Sequence, residues 1–401
     1  MRDNIPDHIK THFKHFIEAA PERLHFAAHS HHAWPDISLQ AHTQYWHDSA
    51  QMIDDKWSKI FNDIIPSVQK HISTILSLPH EGSTIAFAPN THEFINRLLS
   101  SLPTGSPPKI LTTDSEFHSF NRQISRLEQE GLIEIKRVKT QDFTTFEARF
   151  FEAAKSQNFD MIFLSQTFFN SGFRIPDIEK FILSLDQYIS SDTVIVVDGY
   201  HAFMAVPTNL YKIASRIFYV AGGYKYAMAG EGCCFMHCPN NFLPEPRNTG
   251  WFATMDQLSN KQNKVTYSQN GFRFMGSTFD PSGLYRMQAV FEWLNKLEVT
   301  VDFIHEHVEK LMVYFIQLLI KADIQALPLK SLLINPQSEH STNLGHFLTF
   351  DLRNASQVHA ALSRLNIVTD YRDTRLRFGF GIYHDKSDVE LLIQKLTLLK
   401  L

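Results

Sequence analysis

The chain has 401 residues, of which 43% are hydrophobic and 20% are charged, and its formal net charge is −4. This length allows a large core and a second domain, while the mild acidity gives no electrostatic reason to expect nucleic acid or an anionic membrane as a partner. No apolar run reaches the length of a membrane span, the N-terminus does not resemble a signal peptide, and all three cysteines fall between residues 233 and 238. We therefore expect a reduced, cytoplasmic protein.

Helical periodicity covers residues 39–78, and Pro66 within it predicts a break because proline lacks the N–H that a helix interior needs. From residue 84 onward, short apolar runs alternate with helical patterns, which is typical of a mostly parallel sheet with helices on both faces. The predicted strands are residues 84–88, 109–113, 133–138, 161–166, 193–198, 217–221 and 233–237. The predicted helices between them are residues 92–101, 117–130, 143–156 and 176–189.

The chain after residue 280 has an α+β pattern. Asp280 followed by Pro281 predicts a cap and a first helical residue, which open a helix running to residue 297. The elements predicted after it are a helix to residue 322, a strand at 346–352, a helix at 356–365, a strand at 376–380 and a helix from Asp385. We therefore predict an α/β protein of three parts: an N-terminal arm packed on the small domain (1–65), a large domain with a mostly parallel seven-stranded sheet (66–285) and a smaller α+β C-terminal domain (286–401).

An acid and a lysine follow two neighbouring apolar runs. Asp198 ends the strand predicted at 193–198, and Lys225 comes after the next predicted strand, 27 residues further along. Both residues then lie at the carboxyl edge of the sheet, where open α/β folds bind ligands. The lysine amine can form a Schiff base with the aldehyde of pyridoxal phosphate, and the carboxylate can hold a proton on the pyridine nitrogen. Each residue alone also fits an ordinary strand-end cap or loop position, whereas the pair favours this cofactor.

Further candidate cofactor contacts follow the other strands. Asn90 and Thr91 precede a predicted helix, where hydroxyls and backbone amides can hold a phosphate, although Thr91 fits a plain N-cap equally well. Phe117 stands where an aromatic ring can stack on the cofactor, or it is an ordinary core residue. Asn170 and Ser171 follow another strand at the same edge, and their side chains can reach the ring hydroxyl of the cofactor.

Two clusters of potential metal ligands have simpler interpretations. The group Cys233, Cys234, His237 and Cys238 lies in a predicted strand, where adjacent side chains point to opposite faces and cannot share one ion. The histidines of residues 29–32 precede Trp34 and predict a surface loop or a loop at the rim of the active site. We predict no metal site.

Several motifs of the chain resemble those of the class V aminotransferase superfamily, and within it those of the kynureninase branch. The motifs are Asp198-x-x-His201, Tyr224-Lys225, Gly250-Trp251-Phe252 and Arg273-Phe274-Met275-Gly276-Ser277-Thr278. The likeness covers about residues 84–297, with a weaker match at 376–379. It implies fold type I of the pyridoxal phosphate-dependent enzymes and a homodimer with shared active sites.

The resemblance implies a role for residues at matching positions. Lys225 is the Schiff-base lysine, Asp198 is the partner of the pyridine nitrogen, and His201 lies beside the cofactor. Arg377 fits the arginine that binds the substrate α-carboxylate, because its planar guanidinium donates two parallel hydrogen bonds. Arg372 and Arg375 are near rivals for that role.

The cofactor phosphate and the subunit boundary are assigned in the same way. Tyr224 and Thr91 would contact the phosphate, and Phe117 would stack against the ring. Ser277 and Thr278 match a segment that often reaches the phosphate of the neighbouring subunit, and Trp251 has a similar position between subunits. The substrate implied is a small-molecule α-amino acid.

The chain departs from the kynureninase pattern in one segment. Kynureninases usually carry a Gly-Asn-Ser-Leu-Gly-like sequence near the N-terminus, where this chain has residues 27–32, Ala-Ala-His-Ser-His-His. We predict hydrolytic carbon–carbon cleavage of a kynurenine-type substrate. The alternatives are amino-group transfer to a keto acid and, second, cofactor binding without catalysis. A cysteine desulfurase ranks low because it needs a mobile cysteine late in the chain, and none follows Cys238.

Overall fold

The computed structural model of the protein describes residues 9–79, 82–240, 242, 244–257, 265–338 and 343–399. Its α-helices are α1 (Lys14–Glu18), α2 (Ile37–Met52), α3 (Lys56–Lys59), α4 (Ile65–Ile75), α5 (Thr91–Ser101), α6 (His118–Gln129), α7 (Phe146–Lys155), α8 (Ile178–Leu185), α9 (Ser282–Lys296), α10 (Val301–Ala322), α11 (Ala355–Arg364) and α12 (Lys386–Leu396). Its strands are β1 (Leu24–His25), β2 (Ile85–Ala88), β3 (Lys109–Thr113), β4 (Glu134–Val138), β5 (Met161–Ser165), β6 (Val194–Asp198), β7 (Ile217–Gly222), β8 (Cys234–His237), β9 (Phe347–Asp351), β10 (Ile367–Val368), β11 (Asp370–Arg372) and β12 (Arg375–Gly379).

The central sheet has seven strands in the order β2-β8-β7-β6-β5-β3-β4. Strand β8 is antiparallel to both of its neighbours, whereas β3 to β7 pair in parallel. The prediction of a mostly parallel seven-stranded sheet is confirmed, and every predicted strand of this sheet is observed with ends that differ by at most one residue. Continuous apolar runs gave this signal because both faces of the sheet are covered.

Alternate residues of each strand enter two different cores. In β6, Val194 and Val196 belong to one apolar cluster, while Ile195 and Val197 belong to the other. The side chains of a strand alternate between faces, so the two clusters are the two covered faces of the sheet. The strands are therefore fixed from both sides, and the residues just after their carboxyl ends are held in defined positions.

The break predicted at Pro66 is wrong. Pro66 lies in the first turn of α4, where a helix does not need the missing N–H, and it follows a π-helical segment at Ile60–Ile64. The chain breaks instead at Ile53, whose φ of 51° ends α2. The N-cap predicted at Asp280 lies one residue later, at Pro281. An Asp280 carboxylate oxygen accepts from the Ser282 N–H at 2.9 Å.

The C-terminal part contains an antiparallel sheet in the order β11-β12-β9, with α10, α11 and α12. Strand β1 near the N-terminus pairs in parallel with β10, and the Lys10 ammonium donates to Asp385 and Asp388 at 2.9 and 2.8 Å. These contacts support the predicted packing of the N-terminal arm on the small domain. The three-part division remains a proposal, and residues 1–8 of the predicted arm lie outside the described residues. Within the described ranges, no helix is long and apolar enough to cross a membrane.

Candidate active site

A cavity of about 360 Å³ lies at the carboxyl ends of the central strands. Its volume falls within the range of ligand pockets, near the lower end. The sequence-predicted residues that line it are Asn90, Thr91, Phe117, Asp198, His201, Tyr224 and Lys225. The structure therefore brings together seven residues that are spread over 136 positions of the sequence.

Lys225 is buried in this cavity, with 4% of its surface exposed. Its Nζ lies 2.9 Å from the Nε2 atom of His201 and within 4.8–5.6 Å of the ring centroids of Phe117, Tyr200 and Tyr224. Burial among these rings lowers the pKa of Lys225 to about 7, an effect that the Asp198 carboxylate opposes and the Arg377 charge reinforces. A large fraction of the amine is therefore neutral and nucleophilic at neutral pH.

His201 faces the same amine from the turn after β6. Burial lowers the pKa of His201 well below its usual value, and the charges of Lys225 and Arg377 act in the same direction. The imidazole is therefore neutral, and its Nε2 atom can accept a hydrogen bond from the Lys225 amine.

Asp198 is the last residue of β6, and one of its carboxylate oxygens accepts from the Tyr200 N–H at 2.9 Å. Burial raises the pKa of Asp198, while the Tyr200 N–H and the Lys225 charge oppose the rise. In the described part of the chain, Asp198 and Lys225 form no ion pair within 4 Å although both line the cavity. The acid and the amine therefore face a common space, which is the arrangement that the sequence predicted.

The N-terminus of α5 borders the cavity at Asn90 and Thr91. The N-cap is Asn90, whose side-chain oxygen accepts from the Glu93 N–H at 3.1 Å, so the interpretation of Thr91 as the cap is wrong. Thr91 is the first helical residue and lines the cavity. Backbone amides and the helix dipole at this end favour an anion such as a phosphate.

The structure places Asn170 and Ser171 outside the cavity lining. The Asn170 amide donates to the Ser115 hydroxyl at 3.0 Å, and the Ser171 hydroxyl accepts from the Phe173 N–H at 3.1 Å. Ser165 and Phe169 line the cavity from this part of the chain instead. A reverse turn at residues 168–172 brings Phe169 forward and gives the Ser171 hydroxyl a structural partner, which the sequence pattern did not show.

Arg377 is the most buried of the three candidate arginines, with 3% exposure. Its guanidinium donates to the Asp370 carboxylate at 2.6 Å and to the Phe169 carbonyl, while its Nε has no hydrogen-bond partner among the described residues. Arg375 donates to the Asn170 carbonyl and the Gln141 side chain, and half-exposed Arg372 donates to Asp370. Arg377 does not line the cavity, but its charge acts on Lys225 and His201, which favours it over its two rivals.

His29 is a buried residue to which the sequence assigned no contact. Its ring stacks on Phe347 with centroids 4.6 Å apart, and neither ring nitrogen has a partner in the described structure. Burial lowers the pKa of His29 well below its usual value, and the charges of Arg377, His201 and Lys225 reinforce this shift. The imidazole therefore lies near the cationic groups of the site as a neutral, unpaired group.

Glu116 was also missed, although it directly precedes Phe117. It is buried, and its carboxyl oxygens lie 2.6 Å from the hydroxyls of Thr113 and Ser165. Burial raises the pKa of Glu116 to about 8, because the two hydroxyls oppose this rise only in part and nearby Asp198 adds to it. Its position in the sequence, between a strand end and the ring predicted to stack on the cofactor, could have identified it as a site residue.

Trp251, Ser277 and Thr278 lie on the surface and do not line the cavity. The Trp251 indole N–H donates to the Thr278 hydroxyl at 3.3 Å, and 46% of the Trp251 surface is exposed. Their predicted contacts across a subunit boundary remain predictions.

The cavity residues fit pyridoxal phosphate. A reactive amine and an acid border one cavity, the start of α5 offers amides to a phosphate, and Phe117 provides an aromatic face. Cys234 also lines the cavity, with its sulfur 3.3 Å from the Tyr200 hydroxyl, whereas the Cys233 thiol donates to the Gly230 carbonyl elsewhere.

Comparisons with known proteins agree with this fit. Residues 35–392 match the family model described as aminotransferase class-V. A variant of C-DES with glycine linked covalently to its pyridoxal phosphate cofactor has a TM-score of 0.79 and 14% identity, covering 96% of this chain and 98% of that one. A complex of the cystine C-S lyase C-DES with cysteine persulfide has a TM-score of 0.77 and 15% identity, covering 94% and 97%. The cysteine desulfurase CsdA from Escherichia coli has a TM-score of 0.75 and 15% identity, covering 98% of each chain.

No curated protein sequence matches this chain significantly. The similarity to these structures confirms the predicted fold type.

Proposed function

This chain belongs to the class V aminotransferase family, and we propose that it cleaves the side chain of a small α-amino acid with Lys225 as the Schiff-base lysine. The family is pyridoxal phosphate-dependent, so the predicted cofactor and enzyme class are confirmed at that level. The observation that carries the proposal is the common cavity of the Lys225 amine and the Asp198 carboxylate.

When bound, pyridoxal phosphate supplies an electron-accepting ring that makes the α-proton of an amino acid acidic. Lys225 can take up that proton, because its pKa of about 7 leaves the amine partly neutral. His201, 2.9 Å away, can hold the amine in place by accepting its hydrogen bond. Arg377 would bind the substrate α-carboxylate and so orient the α-carbon toward Lys225.

We propose elimination at the β-carbon of a sulfur amino acid as the first candidate reaction. Lys225 removes the α-proton, the carbon–sulfur bond breaks, and the sulfur leaves with the bonding electrons. With cystine and one water, the products are pyruvate, ammonia and cysteine persulfide. The likeness to the C-S lyase C-DES and the small cavity support a substrate with a short side chain.

The cysteines of this chain favour elimination over a desulfurase that carries sulfur on its own thiol. The whole sequence has three cysteines, and all of them are buried. Burial raises the pKa of each thiol, including that of Cys234 in the cavity lining, so all three are kept as protonated thiols. The sequence argument against a desulfurase therefore applies to persulfide-carrying enzymes and does not extend to a lyase.

Kynureninase-like hydrolysis of a carbon–carbon bond is the second candidate. The motifs that suggested it, around Trp251 and at residues 273–278, lie together in the fold, since Trp251 donates to Thr278. Transamination uses the same cofactor contacts and is the third candidate. The exposed positions of Ser277 and Thr278 support a further proposal, a homodimer in which they reach the partner's cofactor phosphate.

A substrate screen separates these reactions. The reconstituted protein is incubated with cystine, kynurenine or amino-acid and keto-acid pairs, with Lys225→Ala as the matched control. Pyruvate and persulfide from cystine support elimination, anthranilate from kynurenine supports hydrolysis, and keto acid that forms only with an added acceptor supports transamination. Lack of all products over a broad panel, from protein that has bound cofactor, would contradict the proposed side-chain cleavage.

A further inference from the structure

A second carboxyl group lies behind the cofactor cavity, on the turn after β3. Glu116 has 4% of its surface exposed. One carboxyl oxygen accepts from the Thr113 hydroxyl at 2.6 Å and from the Ser165 N–H at 3.2 Å, and the other lies 2.6 Å from the Ser165 hydroxyl. Three neutral dipoles therefore surround a carboxyl group that has no cationic partner among the described residues.

Ser165 connects this carboxyl group to the cavity. It is the last residue of β5, it lines the cavity, and it is the register partner of Asp198 on β6. The two acids therefore lie at the ends of β3 and β6, on either side of β5 and its Ser165. Burial disfavours a negative charge on Glu116, and the charge of Asp198 adds to that effect.

The surroundings of the two acids decide which one ionises. Asp198 borders the cavity and faces the Lys225 amine, whereas Glu116 is enclosed by hydroxyls and one amide. The nearby charge that raises the pKa of Glu116 is that of Asp198 on β6. Asp114, in the same turn as Glu116, accepts hydrogen bonds from the Thr140 N–H and the Ser115 hydroxyl.

We propose that Glu116 is a neutral carboxylic acid that donates its proton to the Ser165 hydroxyl, so that Asp198 is the ionised member of this buried pair of acids. This proposal deepens the proposed function, since it concerns the acid that would hold the proton of the cofactor nitrogen. Glu116 is thus a positioning residue that acts through Ser165 and through the charge of Asp198. The pKa of Glu116, raised to about 8 by burial, agrees with this assignment.

The proposal gives the site an upper pH limit. Above pH 8 Glu116 would ionise, and its negative charge beyond Ser165 would raise the proton affinity of Asp198. The substitution Glu116→Gln keeps the shape and a hydrogen-bond donor toward Ser165 but cannot ionise. It should therefore preserve the site at neutral pH and remove the alkaline change.

The first experiment uses the protein without cofactor. A carboxyl whose folded pKa is raised stabilises the fold fully below its unfolded pKa and loses this contribution as the pH rises through the folded pKa. The urea midpoint of the wild type should therefore fall relative to that of Glu116→Gln between pH 5 and 8.5, by on the order of 0.5–1 M. The exposed-site variant Glu22→Gln should follow the wild type. A gap between Glu116→Gln and the wild type that stays constant with pH would overturn the proposal.

The second experiment follows the visible absorbance of the protein reconstituted with pyridoxal phosphate. We expect a spectral transition near pH 8 in the wild type, its loss in Glu116→Gln, and an altered spectrum at pH 7 in Glu116→Ala and Ser165→Ala. An alkaline transition that persists in Glu116→Gln, or a Glu116→Gln spectrum as disturbed at pH 7 as that of Glu116→Ala, would refute a neutral Glu116.

The two experiments also separate the two proposals. If no variant binds the cofactor, the proposed function fails, while the urea titration still decides the protonation state of Glu116. If all variants bind it and the urea gap does not change with pH, only the inference about Glu116 fails.

Discussion

The cofactor end of the cavity and the histidine-rich loop at residues 27–32 differ in whether their buried polar side chains have hydrogen-bond partners. At the cofactor end, Asp198, Ser165 and Glu116 all have hydrogen-bond partners within the protein. In the loop, His29 is fully buried with both ring nitrogens unpaired among the described residues. Because an unpaired buried polar group costs about 1–3 kcal/mol, the imidazole of His29 is destabilising without a ligand, whereas the three cofactor-end side chains named above are not. The cofactor end is therefore preorganised, whereas the loop has hydrogen-bonding capacity left for a substrate.

The largest expected effect tests the preorganised region. Lys225→Ala removes the one lysine amine that lines the cavity among the described residues, so we expect loss of the visible absorbance of the bound cofactor and a fall in turnover of at least about 10³-fold, within the range for loss of an acid–base group. The absorbance spectrum and kcat of the reconstituted variant check this. Wild-type protein that stays colourless with added cofactor would contradict the assignment of Lys225.

The next effect tests the substrate end. Arg377→Lys replaces a planar double donor by a single ammonium, and we expect KM to rise about 10–100-fold with a smaller change in kcat, because charged hydrogen bonds contribute about 1.5–3 kcal/mol. Steady-state kinetics measure both constants. The matched control Arg375→Lys, whose side chain donates hydrogen bonds to the Asn170 carbonyl and the Gln141 side chain, should keep its KM. A larger effect at Arg375 would move the carboxylate site there.

A smaller effect concerns the pH dependence of cofactor capture. The pKa of Lys225 is lowered to about 7 by burial, so the neutral amine that attacks an aldehyde predominates above pH 7 and falls to about a tenth at pH 6. We expect the rate of reconstitution with pyridoxal phosphate to rise about tenfold from pH 6 to pH 8 and then to level off. Stopped-flow absorbance measures this rate. A rate that continues to rise toward pH 10 would show an ordinary lysine.

The smallest effect tests the unpaired imidazole of the loop. His29→Leu keeps the packing against Phe347 but removes two unpaired nitrogens, so we expect about 1 kcal/mol of added stability without cofactor and a KM that rises a few-fold. Urea unfolding and kinetics measure the two quantities. The exposed neighbour His31→Leu serves as the control. Loss of stability in His29→Leu would mean that the ring is satisfied within the protein, and the contrast between the two regions would disappear.

The cofactor end was predictable because it depends on local patterns. Each apolar run predicted a strand, and parallel strands bring their carboxyl ends to one edge, so Asp198 and Lys225 could be placed together from the sequence. Glu116 had a local signal too, directly before Phe117. Its protonation state had none, since it depends on Ser165 and Asp198 across two neighbouring strands.

The substrate end depends on contacts between distant parts of the chain. Strands β1 and β10 have two residues each, which is too few to show the alternating hydrophobic pattern of a strand. They pair across more than 340 positions of the sequence. The burial of His29 against Phe347 likewise joins the first and last parts of the chain. The position of Pro66 in a first helical turn was equally hard to predict, because it depends on the π-helical segment before it, and no residue pattern predicts that segment.

The pairing of β1 with β10 also has a consequence for synthesis on the ribosome. Leu24 and His25 are synthesised more than 340 positions before Ile367 and Val368. Strand β1 must therefore wait for the synthesis of β10 before the two can pair, and this pairing closes a very long loop. A nascent chain that stalls before residue 367 could complete the central sheet and still lack the pairing that holds the histidine-rich loop.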